Sequence, residues 1–325
     1  MNILMIVIRR FLHAFLLISA VLVLNFLLIH IAPGDPAEVI AGEMGGATEE
    51  MLADIRTSYG LDKPVYVQLG TYLGKALTGD LGQSFFYNAS VLDLVLERVG
   101  ATILLVVTAL LFAIFVGTLL GVLASHNPKG IVSGLVTLVS VIGYSAPIFW
   151  TGMLLVILFA WLVPVFPISG MFDITLGDDL WTRSIDIAHH LVLPALTLGI
   201  VYLAQYARLA RASMLEILGS DYIRTARSKG VSEISIYTRH ALRNAILPIV
   251  TIAGLQFGSV ISGAVLVETV FSWPGLGTLA FDSILARDFP TILGILFFSS
   301  LLVILANLVT DVIYRIVDPR IRTGN

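Results

Sequence analysis

The chain has 325 residues, 57% of them hydrophobic and 13% charged, and its mean hydropathy is +0.94. A soluble domain carries about 25% charged residues to cover its surface, so a water-soluble globular fold is excluded. There is no cysteine, which excludes a disulfide framework, a thiolate metal site and a Cys nucleophile; the net charge of −3 matters less than its distribution.

A hydrocarbon core about 30 Å thick takes about 20 apolar helical residues, and six stretches meet that requirement. The first runs from about Ile8 to Ala32. Its apolar run is longer than a signal-peptide core and no small-residue cleavage site follows promptly, so it reads as an uncleaved span. An external segment, residues 33–100, comes next. In it APGDP (Ala32 to Pro36) and GDLGQSF (Gly79 to Phe85) are turn signals. TEEMLADIRTSYG reads as a short amphipathic helix with Thr48 as N-cap and Gly60 near its end. DKPVYVQLGTYLGKAL reads as a second helix.

The remaining spans lie in residues 101–325. Span two covers about Ala101 to Ala124 and span three about Ile131 to Val163. Span four covers about Leu191 to Ala210, span five about Ile246 to Phe271 and span six about Thr291 to Ile316. Span three is too long for one straight helix, and Pro147 in GYSAPIFW predicts a kink or break, with a re-entrant pair as the alternative. The chain therefore reads as an all-α polytopic membrane protein: an N-terminal transmembrane helix (1–32), an external cap segment (33–100) and a core transmembrane domain (101–325). That core carries a long polar loop at 212–246.

Charge sets the orientation. With the N-terminus inside, 13 of the 19 basic residues fall on the cytoplasmic side, against five of the 22 acidic ones. Residues 33–100 carry ten acidic and four basic residues. Translocating Lys and Arg is disfavoured, so both termini are expected in the cytoplasm.

Several chemistries are missing. The nearest approach to a phosphate-binding loop is GTYLGKAL (Gly70 to Leu77), which has one residue too few between its glycines and Ala76 where the hydroxyl belongs. His189 and His190 are adjacent, so on a helix they point about 100° apart and cannot share a metal. No HExxH or GxSxG pattern occurs. No catalytic residue, cofactor or metal is expected, and nothing points to nucleic acid.

Within the spans, Gly254, Gly258 and Ser262 recur every four residues around Gln256, and Gly117 and Gly121 share that spacing. Small residues at this spacing allow close helix approach, either inside the subunit or against a partner around a translocation path. Asn25, Gln205, Gln256 and Asn307 are polar groups at membrane depth, where such groups face a bundle interior or a wet path.

The loop before span five, DYIRTARSKGVSEISIYTRHALRNAILP, carries Arg224, Arg227, Lys229, Arg239 and Arg243. Ser220 or Asp221 can cap a short helix on which Tyr222, Ala226 and Lys229 share a face, with Arg224, Thr225 and Arg227 beside it. Gly230 can end that helix in the left-handed conformation, and Ser232 can cap a second helix running to Pro248. Such a unit either docks into a partner's cleft or lies as a basic loop on anionic lipid.

DYIRTARSKG followed by RHALRNAILP resembles the EAA loop of ABC importer permeases, in the branch that transports dipeptides, oligopeptides, glutathione and nickel. IHIAPGDPA, YGLDKPVYVQ, GDLGQSF and VETVFSWPGLGTLAFDSI agree with the same branch, in order along the chain. Arg224 stands where the general motif has its glutamate, and the distance from Gly230 to Pro248 is longer than in the general motif; both features are similar to the peptide branch. The resemblance implies a type I importer-like permease in a prokaryotic inner membrane, itself no enzyme. Its implied partners are a second related permease, two ATPase subunits and an external substrate-binding protein, in membrane lipid. It also implies that Tyr222, Arg224, Thr225, Ala226, Arg227, Lys229 and Gly230 form the coupling helix against the ATPase. The alternatives outside this class are an ion channel and a membrane enzyme.

The orientation is directly testable because the chain has no native cysteine. A single Cys at Asn88 is expected to react with an impermeant thiol reagent in intact cells, and one at Lys129 or Ser228 is not. Labelling at Ser228 in sealed cells would overturn the charge argument.

Overall fold

In hydrocarbon every backbone N–H and C=O must be paired within its own segment, and the long apolar runs of this chain accordingly form helices. The computed structural model describes residues 3–31, 48, 49, 52, 53, 56, 57, 62–84, 86–177 and 179–317. Helix α1 is Ile3–Ile31, α2 is Val65–Leu77, and a two-residue hairpin pairs β1 (Gln83–Ser84) antiparallel with β2 (Ala89–Ser90). Next come α3 (Val91–His126), α4 (Ile131–Ser145), α5 (Ile148–Leu162) and α6 (Leu180–Leu218). The last four are α7 (Asp221–Ser228), α8 (Glu233–Phe271), α9 (Leu276–Ala286) and α10 (Phe289–Val317).

Helices α3, α6, α8 and α10 are each long and apolar enough to cross a membrane. The α4–α5 pair qualifies together but is bent by 107°. Helix α1 is 29 residues long. The set agrees with a fold of about six spans. The break in span three falls where proline predicts it. Ala146 is extended (φ −76°, ψ 134°), as the residue before proline must be, and Pro147 starts α5 from a position that needs no N–H. Pro194 and Pro248, by contrast, lie inside continuous helices. The expectation that a loop helix ends at Pro248 is therefore corrected: α8 starts at Glu233 and runs unbroken to Phe271. Membrane helices tolerate proline where neighbouring groups take up the freed carbonyl.

The chain divides into two compact units. One comprises residues 1–100 and 278–305. In it the buried Asn25 donates to the Leu293 carbonyl at 3.2 Å, and His30 on α1 meets Gln68 on α2 at 3.1 Å. The Ser84 hydroxyl donates to the buried Asp288 at 2.6 Å, and Asp288 caps α10 by accepting from the Thr291 N–H. Of the expected helix from Thr48 to Gly60, the described residues 49, 52, 53, 56 and 57 are helical. The turns at Ala32 to Pro36 and at Phe85 lie outside the described residues.

The other unit comprises residues 101–277 and 306–324. Its core joins Ala113 of α3, Leu203, Tyr206 and Ala210 of α6, and Ile249 of α8. Gly117 and Gly121 make this contact possible. A Cβ at Gly117 would lie 2.8 Å from the Leu203 carbonyl, and one at Gly121 2.6 Å from the Ala210 Cβ. The four-residue glycine spacing of α3 thus serves packing inside the subunit.

At the end of α8 a fully buried carboxylate ties the chain back to the start of span two. Glu268 accepts from the Thr102 hydroxyl at 2.7 Å and from the Gly277 N–H at 2.6 Å. Thr102 in turn accepts from the Leu276 N–H at 2.8 Å, and the buried Trp273 indole donates to the Ala101 carbonyl at 2.9 Å. Thr102→Val is expected to destabilise the protein by about 1–3 kcal/mol, because it strips a donor from a buried carboxylate and orphans the Leu276 N–H. Thr102→Ser is expected to behave as wild type. Monodispersity after heating in detergent measures both; equal midpoints for all three proteins would show that the network carries no stability.

Candidate functional site

The polar loop between α6 and α8 is built around one apolar side chain. Ile223 is the only large aliphatic residue in DYIRTARSKG. It is fully buried with Met214 of α6 and Ile236, Ala241 and Ala245 of α8, with Val122 of α3 and Val231 alongside. This knob seats the eight-residue α7 against the ends of two spans.

The ends of α7 follow its sequence. Ser220 takes the N-cap position with extended backbone (φ −75°, ψ 155°), but its hydroxyl donates back to the Ile217 carbonyl rather than capping α7. At the other end Gly230 has φ +78°. The Gly230 N–H donates to the Arg227 carbonyl at 3.0 Å and the Val231 N–H to the Ala226 carbonyl at 3.2 Å. Those two bonds are a Schellman motif, which satisfies the last carbonyls of the helix and reverses the chain. Ser232 then caps α8 by accepting from the Ser235 N–H at 3.4 Å.

Two side chains of α7 reach α8. Arg227 makes a two-pronged pair with Glu233, Nε to Oε1 at 2.9 Å and Nη2 to Oε2 at 3.2 Å. The Glu233 hydrogen bond raises the Arg227 pKa above an already high value, and the group stays charged. Tyr222 donates to the His240 carbonyl at 3.3 Å and accepts from Asn244 Nδ2 at 2.9 Å. The face read from spacing as Tyr222, Ala226 and Lys229 is thus divided: Tyr222 is engaged with α8, Ala226 is half-buried and Lys229 is exposed. The outward face is formed by Asp221, Arg224, Thr225 and Ser228, at the i, i+3, i+4, i+7 positions of one stripe. Arg224 meets Asp221 only at 3.4 Å with both side chains largely exposed, a pair worth under about 1 kcal/mol.

The helix-packing and path candidates Gly254, Gln256, Gly258 and Ser262 meet different surroundings. Gly254 is buried, and a Cβ there would overlap the Thr310 side chain of α10. Gln256 donates to Gln205, joining α8 to α6 across their polar groups. Gly258 accepts from the Ser262 hydroxyl at 3.2 Å within α8, and Ser262 is exposed. The two adjacent histidines do separate work. His189 meets the Val165 carbonyl at 2.8 Å, while His190 pairs with the buried Asp186 at 3.1 Å. Asp186 also accepts from the Asp173 N–H at 2.6 Å. Asp173 itself is held below the usual carboxylate range by the Thr175 N–H and hydroxyl.

Residues 117–323 match the family described as "Binding-protein-dependent transport system inner membrane component", and residues 3–106 match its N-terminal membrane component. The chain belongs to the binding-protein-dependent transport permeases. It is 40% identical to the dipeptide transport system permease protein DppB of Escherichia coli K12 over 316 residues, 92% of this chain and 93% of that one. It is 41% identical to the di/tripeptide transport system permease protein DppB of Pseudomonas aeruginosa UCBPP-PA14, covering 93% and 94%. It is also 41% identical to a probable peptide ABC transporter permease protein, y4tP, of Sinorhizobium fredii, covering 97% and 98%. The fold is similar to that of the MetNI methionine ABC transporter in inward-facing conformations. Two crystal forms give TM-scores of 0.51 and 0.54 at 19% identity, with 69% of this chain and 96% of that chain covered.

This permease therefore has a type I importer fold. Ile223 was not among the residues singled out from the sequence. The available signal was its isolation as the one large aliphatic group among polar neighbours. The pairing of Thr102 with Glu268 was also not legible, because nothing local marks two residues 166 apart in sequence as partners. Ile223→Ala is expected to cost about 2–5 kcal/mol of local stability, since it opens a cavity in a packed cluster. Gly230→Val is expected to unwind the end of α7, because a β-branched residue is penalised at positive φ. Hydrogen exchange at the amides of residues 222–231 reads both; unchanged protection would separate Ile223 and Gly230 from the folding of the loop.

Proposed function

We propose that this permease is one of two related membrane subunits of an ATP-driven importer for di- and oligopeptides. Both termini lie in the cytoplasm, two separate ATPase subunits bind below, and an external binding protein delivers substrate above. The observation that carries this reading is α7, a Schellman-capped helix between two spans that turns an exposed polar stripe outward. The names of the relatives supply the substrate class. The charge bias supplies the side, because α7 lies in the most basic connection of the chain.

ATP hydrolysis belongs to other subunits in this reading. The stretch that comes nearest to a phosphate-binding loop, Gly70 to Leu77, lies within α2, so its backbone N–H groups serve helix bonds rather than a phosphate cradle. What this chain supplies is transmission. Helix α8 has 39 residues, about 58 Å at the usual rise, so a displacement at its cytoplasmic base is carried across the bilayer to Glu268 and the outer end. Nucleotide-driven closure of the ATPases would bias the membrane helices between two arrangements, which is what coupling requires.

The test is assembly followed by transport. Arg224→Glu with Thr225→Trp is expected to leave the permease inserted, to reduce co-purification of the ATPases and to lower uptake of a radiolabelled dipeptide by about tenfold or more. Both changes lie on the exposed stripe, away from the Ile223 cluster. Wild-type association and uptake would return the loop to a basic membrane-surface element.

A further inference from the structure

Helix α8 is not uniform at its base. Residues Ile236–Ala241 form a π-helical turn between the α-helical Glu233–Ser235 and Leu242–Phe271 segments. A π turn has one residue too many for regular α geometry, and such turns are local weak points that occur often at functional sites. The two contacts from α7 bracket this turn. Arg227 holds Glu233, three residues before it, and Tyr222 holds His240 and Asn244, at its end and just beyond.

We propose that α7 splints the π-helical turn, the Arg227–Glu233 pair and the Tyr222–Asn244 contact being positioning elements that make the coupling helix and the base of span five one rigid lever. The proposal rests on the reading of α7 as the ATPase-docking helix and adds how its motion enters the membrane.

The physical case comes from what each contact can and cannot do. Ile223 anchors α7 at a point, and a single knob leaves rotation about that point free. A tie at each end of α7 removes the rotation. Neither tie is worth much as stability. The side chains of Arg227 and Glu233 are 44% and 57% exposed, and exposed pairs contribute about 0–1 kcal/mol. The two-pronged geometry instead fixes direction, since both guanidinium bonds are satisfied at one orientation only. Without the ties, a push on α7 would be absorbed by bending at Ile236–Ala241 and would not reach the rest of α8.

Glu233 and Asn244 are the residues to change, because both belong to α8 and neither is on the outward stripe of α7; Asn244→Ala removes the shorter of the two Tyr222 bonds and leaves only that to the His240 carbonyl at 3.3 Å. The assembled transporter carrying Glu233→Ala with Asn244→Ala is expected to keep its ATPases and to hydrolyse ATP. Dipeptide transported per ATP is expected to fall about fivefold or more. In a second set, Arg227→Glu alone is expected to lower the same ratio, and Arg227→Glu with Glu233→Arg to restore most of it. A merely structural pair would change thermal stability without this rescue of the ratio. An unchanged ratio in the double alanine variant, or no rescue by the exchange, with the ATPases still bound, would overturn the splint alone. Loss of the ATPases from the double alanine variant would also overturn it, since these residues would then serve docking. Absence of ATPases from the wild-type assembly would overturn the docking reading and the splint together.

Discussion

The absence of water in hydrocarbon governs this chain more than any single contact. Backbone groups must pair within their own helix, so interruptions are affordable only at the membrane surfaces or where a specific group takes over the lost bonds. Among the described residues, three interruptions show such a group. The break before α5 uses Pro147, which has no N–H to orphan. The turn after α7 uses the Schellman bonds at Gly230, and the turn after α8 uses Ser272 in the left-handed region, with its neighbour Trp273 bonded back to Glu268.

Between helices the contacts are of two kinds. In the centre they are mainly steric, apart from the Gln205–Gln256 bond between α6 and α8. Gly117 and Gly121 bring α3 onto the backbone of α6, and Gly254 receives Thr310, as expected where lipid is as apolar as a side chain and dispersion must hold helices together. At the ends they are polar and long-range: Thr102 with Glu268, and Tyr222 with Asn244. A buried polar group such as Glu268 is costly unless fully paired, and such contacts fix the register of the elements they join. The steric contacts let helices meet; the polar ones determine which residues meet.

This division bears on the loop between α6 and α8. Its helix is too short to persist alone, since isolated helices under about 12 residues are marginal in water. It exists because Ile223 is buried by Met214, Ile236, Ala241 and Ala245. Any force on its outward stripe must therefore pass through that cluster and the contacts beside it.

The all-helical membrane architecture, the break at Pro147, the left-handed turn at Gly230 and the cap at Ser232 were legible in the sequence. Each depends on local chemistry: segment length against bilayer thickness, a missing N–H, a missing Cβ, a hydroxyl at a helix start. Other features were not legible. Pro248 looked like a helix end, yet α8 continues through it, because what makes a proline tolerable is its surroundings. The stripe of Tyr222, Ala226 and Lys229 looked free, yet Tyr222 reaches 22 residues along the chain to Asn244. Gly254, Gly258 and Ser262 looked like one face, yet Gly254 is filled by Thr310 while Ser262 is exposed. By itself the sequence determined where the chain is helical and which residues can end or turn a helix, since those are properties of a few neighbouring residues. Which face of each helix is occupied, and by what, was decided only by the tertiary structure, because that depends on which distant side chain arrives against it.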